Sequence, residues 1–86
     1  MQKGQKFELT SFNGTIHPDS DCEEKENYWK LIGQTGTLIK FAEEIDFGDR
    51  NRVLIQFDND IRQQGLECHN PEPNAIWILK TDLLKI

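Results

Sequence analysis

The stretch Arg52-Val53-Leu54-Ile55-Gln56-Phe57-Asp58 constrains the fold more than any other part of the chain. Val53, Ile55 and Phe57 recur at period two, while Arg52, Leu54, Gln56 and Asp58 fall on the opposite, mostly polar side. Successive side chains of an extended backbone point to opposite faces, so the pattern predicts a strand with one apolar face. Such a strand needs a sheet to belong to and a second layer to pack on.

The other apolar runs can supply both. Gly4 to Thr10 reads as a first strand, with Phe7 and Leu9 on one side and Lys6, Glu8 and Thr10 on the other. Asn13-Gly14 marks a tight turn, because both residues tolerate positive φ, and Thr15-Ile16-His17 can return from it as a small hairpin. His17 to Asn27 is a loop carrying five acids, with at most a helical turn at Asp21–Asn27, where acids favour a helix start. Tyr28-Trp29-Lys30-Leu31-Ile32 is the next apolar cluster. After Gly33 and Gly36, Thr37-Leu38-Ile39-Lys40-Phe41 reads as a strand with Thr37, Ile39 and Phe41 sharing a face. Glu43 to Asn51, including Phe47-Gly48-Asp49, is a polar connection. Asn59 to Asn74 is a long insert punctuated by turn residues, with room for a short strand around Leu66 and Cys68. Ala75 to Lys80 is a nearly continuous apolar strand of the kind often buried on both sides, with Trp77 at least partly in the core. Thr81-Asp82-Leu83 breaks it, and Leu84-Lys85-Ile86 follows. Many short strands with frequent turns favour a small sandwich or barrel.

At 86 residues the chain is expected to form a single domain, 1–86. The formal net charge of −5 disfavours the phosphate backbone of nucleic acids and anionic membranes, and favours a basic partner. The plainer reading is that the charge keeps a small protein soluble. Without an apolar leader after Met1 or an apolar run long enough to span a bilayer, the expected location is cytoplasmic, where Cys22 and Cys68 would be free thiols.

The order of the pieces resembles small SH3-like β-barrels. Gly4-Gln5-Lys6-Phe7-Glu8-Leu9 resembles their glycine-led opening strand, and Ile32-Gly33-Gln34-Thr35-Gly36-Thr37-Leu38-Ile39 resembles the Gly-x-x-Gly turn-and-strand of KOW-type members. Trp77 to Ile86 resembles the ending in which the last strand pairs with the first. The resemblance implies an all-β, SH3-like barrel of about five or six short antiparallel strands, with long loops and a 3-10 turn before the last strand. It does not carry a function across. Phe7-Glu8-Leu9-Thr10 departs from the aromatic opening of peptide-binding SH3 domains, and KOW modules are usually basic.

Catalytic and metal chemistry are weakly signalled. His17, Cys22, Cys68 and His69 compose a formal Cys₂His₂ set, but Cys68 and His69 are adjacent and would point to opposite faces of an extended chain. Cys68-His69-Asn70 is contiguous, whereas thiol-enzyme sets meet from distant parts of a fold. Carboxylates at Asp58 and Asp60, and at Glu43, Glu44 and Asp46, lack the glycine and closing glutamate of a calcium loop. No enzyme and no cofactor is expected.

Recognition remains. Tyr28 and Trp29 sit beside the acids Asp19, Asp21, Glu23, Glu24 and Glu26, and together these residues are the candidate partner-binding surface. The competing reading is that one ring plugs the barrel end and the other shields the core. The sequence therefore predicts a small non-catalytic module that binds a basic protein partner, with an inhibitor or immunity-type protein as its concrete form. One alternative is a KOW-like RNA or ribonucleoprotein accessory, which would need Lys30, Lys40, Arg50, Arg52 and Arg62 gathered on one face. The other is a small metal-binding protein.

Overall fold

A computed structural model describes residues 1–46 and 48–86, so that Phe47 of the Glu43–Asn51 connection lies outside the described residues. The alternating stretches form five antiparallel strands: β1 (Lys6–Leu9), β2 (Thr35–Phe41), β3 (Arg52–Phe57), β4 (Ala75–Leu79) and β5 (Leu83–Lys85). Their order across the single sheet is β4-β3-β2-β1-β5. Helical structure among the described residues is limited to short 3-10 turns. One of these, Lys80–Asp82, precedes β5, which then runs back along β1 with Phe7 opposite Lys85 and Leu9 opposite Leu83. The all-β class, the 3-10 turn before the last strand and the pairing of last strand with first are as the sequence predicts.

The two long connections also contribute to the core. Phe7, Leu9, Val53, Ile55, Phe57, Ile76 and Ile78 are buried from the sheet. They pack with Phe12, Tyr28 and Leu31 from the arm between β1 and β2, and with Ile61 and Leu66 from the insert between β3 and β4. The two long connections therefore act as the lid of the core. The insert holds a 3-10 turn at Arg62–Gln64 rather than a short strand at Leu66–Cys68. Asn74 ties its two ends together from a left-handed conformation at φ 60°. Its Oδ1 accepts from the Ile61 amide at 2.7 Å, and its Nδ2 donates to the carbonyls of Phe57 at 2.6 Å and Asn59 at 2.9 Å. Each bond satisfies a backbone group that would otherwise be left without a sheet partner.

Two expectations about faces need correction. In β2 it is Leu38, fully buried, that points into the core, and the ladder then slips. Leu38 pairs with Ile55 but Lys40 pairs with Leu54, so Ile39 is the extra residue of a bulge. One inserted residue reverses which side chains face inward. Phe41, opposite Val53, thereby returns to the core side and packs against the main cluster. In β3, Leu54 is buried on the face that reads as polar. It lies between Lys40 and Trp77 in the ladder, and Trp77 is half-buried on this outer face rather than beside Ile76 and Ile78. The apolar β4 is an edge strand.

Charged contacts fasten the sheet ends. Asp58 follows β3 and accepts from Lys6 and, at 2.5 Å, from the Thr35 hydroxyl. The Lys6 bond first, and then the Thr35 bond, hold its carboxyl below the ordinary aspartate value. Glu44 accepts from Lys3 and, at 2.6 Å, from the Phe41 amide at the start of the 3-10 turn Ala42–Ile45, and both bonds lower its pKa. Asp58 and Glu44, two of the carboxylates weighed for calcium, are thus engaged with lysines, a hydroxyl and a backbone amide.

Gly36 is the point of closest approach between β2 and β3. A Cβ there would sit 2.6 Å from Cγ2 of Ile55 and 2.7 Å from the carbonyl oxygen of Gln56. The second contact is with backbone, which cannot swing aside as a side chain can. Gly36→Ala is expected to destabilise the fold by about 1–3 kcal/mol, as overpacking does. Urea denaturation reads this as a lower midpoint at unchanged slope; an unchanged midpoint would mean that the strands separate at no cost.

Candidate functional site

The site is built on the arm, and the arm is pinned at its base by Asp82. This carboxylate is 1% exposed. It accepts from the Ser11 hydroxyl at 2.5 Å, the Asn13 amide at 2.8 Å and the Gly14 amide at 3.1 Å. Its own carbonyl accepts from the amide and the hydroxyl of Thr10. Three donors around one buried carboxylate offset the cost of taking it from water. Asn13 and Gly14 both have positive φ, 51° and 79°, as the turn requires. The hairpin they close is a single bridge, Phe12 to Thr15, and Ile16 and His17 beyond it are exposed.

This turn sets out the aromatic side chains. Phe12 stands between Tyr28 and Trp29, its ring centroid 5.4 Å from the first and 5.0 Å, edge-on, from the second. Tyr28 and Trp29 lie on a 3-10 turn, Tyr28–Leu31, which places consecutive side chains at different angles from the core. Tyr28 is 7% exposed and donates its hydroxyl to the Glu67 carbonyl at 2.6 Å. Burial first, and then the nearby Glu26 carboxylate, push its pKa up to about 12. Trp29 is half-buried and its Nε1 donates to the Thr15 hydroxyl at 3.0 Å. Tyr28 therefore plugs the core, while Trp29 covers it and keeps a free flank.

Asp19, Asp21, Glu23 and Glu26 face that flank. With Phe12, Asn13, Cys22, Tyr28 and Trp29 they line a groove of about 410 Å³. Of the predicted binding residues only Glu24 lies outside it, on the 3-10 turn Glu24–Glu26, where it pairs with Lys30 at 3.1 Å. Glu26 meets His69 Nε2 at 3.2 Å and Glu23 meets Lys25 at 3.7 Å. Asp19 and Asp21 have no cationic side chain within 4.0 Å among the described residues. The Cys22 thiol is pushed up from its ordinary pKa, by desolvation first and then by Asp19, Glu26, Asp21 and Glu24. A thiol so raised is a poor nucleophile at neutral pH.

Most residues of the competing readings are engaged elsewhere. Lys30 pairs with Glu24, Lys40 with Glu72, Arg50 with Glu43 and Asp46, and Arg52 with Asp49. Those four cations carry their own carboxylates, while Arg62, the fifth, has no carboxylate within 4.0 Å among the described residues. Arg52 also donates to Asn13 Oδ1 at 2.6 Å and to the Trp77 carbonyl, bracing the arm from below. Among the described residues no three His, Cys, Asp or Glu side chains are grouped to hold a metal ion. Cys68 packs against the core, and the Asn70 side chain donates to the Ala75 carbonyl and accepts from the Glu72 amide. No helix among the described residues is long and apolar enough to cross a membrane.

Phe12 and Asp82 are the site residues that sequence reasoning misses. The apolar residue set immediately before Asn13-Gly14 is a signal that could have found the first. Nothing local marks the second, whose donors lie about seventy residues away. Comparison with protein-family models, with curated proteins and with solved structures finds no significant match to the chain.

Tyr28 is the only tyrosine, so its ionisation can be followed by phenolate absorbance. The folded protein is expected to show no midpoint near pH 10, where a free phenol is half ionised, and to reach half-ionisation only near 12. A midpoint near 10 with the fold intact would put the ring in solvent. The Cys22 thiol is expected to react with a maleimide more slowly than free cysteine at the same pH. The rate should rise with salt, which shortens the screening length from about 10 Å at 0.1 M to about 3 Å at 1 M. A rate that ignores salt would show that the surrounding acids do not act on it.

Proposed function

We propose that this protein is a small non-catalytic, SH3-like binding module of the cytoplasm that holds a basic protein partner against its acidic, aromatic arm. The strand order and the closing 3-10 turn support the SH3-like reading. One observation carries the function: a groove in which Asp19, Asp21, Glu23 and Glu26 face Trp29, with the two aspartates free of cationic neighbours among the described residues. Carboxylates arranged this way steer and orient a cation, and a tryptophan flank supplies contact area and a face for a lysine or arginine. The concrete form of such a protein is an inhibitor or immunity-type protein that covers the basic active site of a toxin or nuclease. The pairing of Lys30, Lys40, Arg50 and Arg52 with acids speaks against the RNA-accessory reading.

The test uses the chain immobilised at low salt, beside a variant carrying Asp19→Asn, Asp21→Asn and Glu23→Gln and a control carrying Glu24→Gln. A basic protein retained in stoichiometric amount by the wild type and the control, and lost from the triple variant, is the expected result. Its affinity should fall on the order of tenfold in the triple variant, with a flatter salt dependence, because rim charges act through steering. Equal retention by all three forms would overturn the proposal, and so would elution of RNA and ribosomal proteins in place of a single protein.

A further inference from the structure

Beyond the acidic groove, on the far side of the Phe12–Tyr28 pair, lies a second and smaller depression. It measures about 150 Å³ and is lined by Phe12, Tyr28, His69, Asn70, Ile76 and Trp77. The arm, the insert and the edge strand β4 each contribute a wall. Cofactors and small-molecule ligands occupy about 300–1,000 Å³, so this cleft suits a single side chain. Its lining is almost wholly apolar, and the polar groups at its rim are already engaged: Asn70 holds the Ala75 carbonyl and His69 meets Glu26.

The cleft and the groove are two parts of one surface. Phe12 and Tyr28 line both, and Glu26 of the groove touches His69 of the cleft. Resting on the proposed function above, we infer that the partner is read at two points. One apolar side chain, such as leucine, enters this cleft at the β4 edge, against its Phe12 and Tyr28 wall. Lysine or arginine neighbours of that residue, on the same extended segment, lie over Asp19, Asp21, Glu23 and Glu26. The charges bring the segment in, and the anchor selects which basic segment stays, because a buried apolar anchor contributes affinity that long-range charge does not.

Two acetylated, amidated pentapeptides test this on the isotope-labelled full chain by NMR titration. One has leucine between two pairs of lysines, and the other has glycine in its place. The leucine peptide is expected to bind about tenfold more tightly or better, the gain from burying one such side chain. It should shift the Ile76 and Trp77 amides and the Ile76 methyls, while both peptides shift the Trp29 indole. Equal affinities with the Trp29 indole moved and Ile76 unmoved would overturn the anchor and leave the acidic groove standing. Shifts centred on the exposed Leu84 and Ile86 would overturn it too. Binding by neither peptide at low salt would overturn both the anchor and the function on which it rests.

Discussion

One buried carboxylate holds the turn beneath the candidate groove in place. Asp82 ends the 3-10 turn before β5, and its two oxygens collect the Ser11 hydroxyl and the Asn13 and Gly14 amides. The turn so fixed presents Phe12 toward the core and Thr15 toward Trp29. Each later element of the groove therefore depends on a charge that could not remain in the interior without its donors. The arrangement resembles a helix cap in its logic, with a short acidic side chain satisfying backbone amides that a turn leaves open.

Five short strands leave part of their apolar face for other segments to cover. Here the cover comes from two connections that also grip each other. The Tyr28 hydroxyl reaches the Glu67 carbonyl, and the Glu67 amide donates to the Lys25 carbonyl at 2.9 Å. The paired amides of Gln34 and Gln64 join the arm's end to the insert a second time. Exposed ion pairs such as Lys30 with Glu24 add little to this, since Glu24 remains largely in solvent. The backbone bonds and the buried side chains Leu31, Ile61 and Leu66 do most of the holding.

The sheet was legible in the sequence because strand signals are local. Period-two alternation at Phe7 and Leu9, and at Val53, Ile55 and Phe57, needs no knowledge of partners, and these residues are buried as their pattern predicts. The turn at Asn13-Gly14 was legible for the same reason. What escaped depends on distant contacts. The bulge at Ile39 reverses a face that alternation alone assigns the other way. Leu54 reads as an apolar residue on a wet face until its neighbours Lys40 and Trp77 are known. The acids and aromatics of the candidate site were legible as one surface because they are neighbours in the chain, and the place of Phe12 among them was not. Glu24 is indistinguishable from Glu23 and Glu26 along the chain, yet the 3-10 geometry turns it toward Lys30 and out of the groove.

The span of the Asp82 contacts has a consequence in time. Thr10 and Asp82 are 72 residues apart in the chain. Contacts of such separation form late, since the entropy of closing a long loop comes due before the contact repays it. A ribosome makes the arm well before Asp82. Through that interval the acids and rings of the arm have no frame to sit in. The groove residues are thus synthesised well before the side chain that fixes the turn beneath them, and on a growing chain that turn stays unframed until the 3-10 turn carrying Asp82 has emerged.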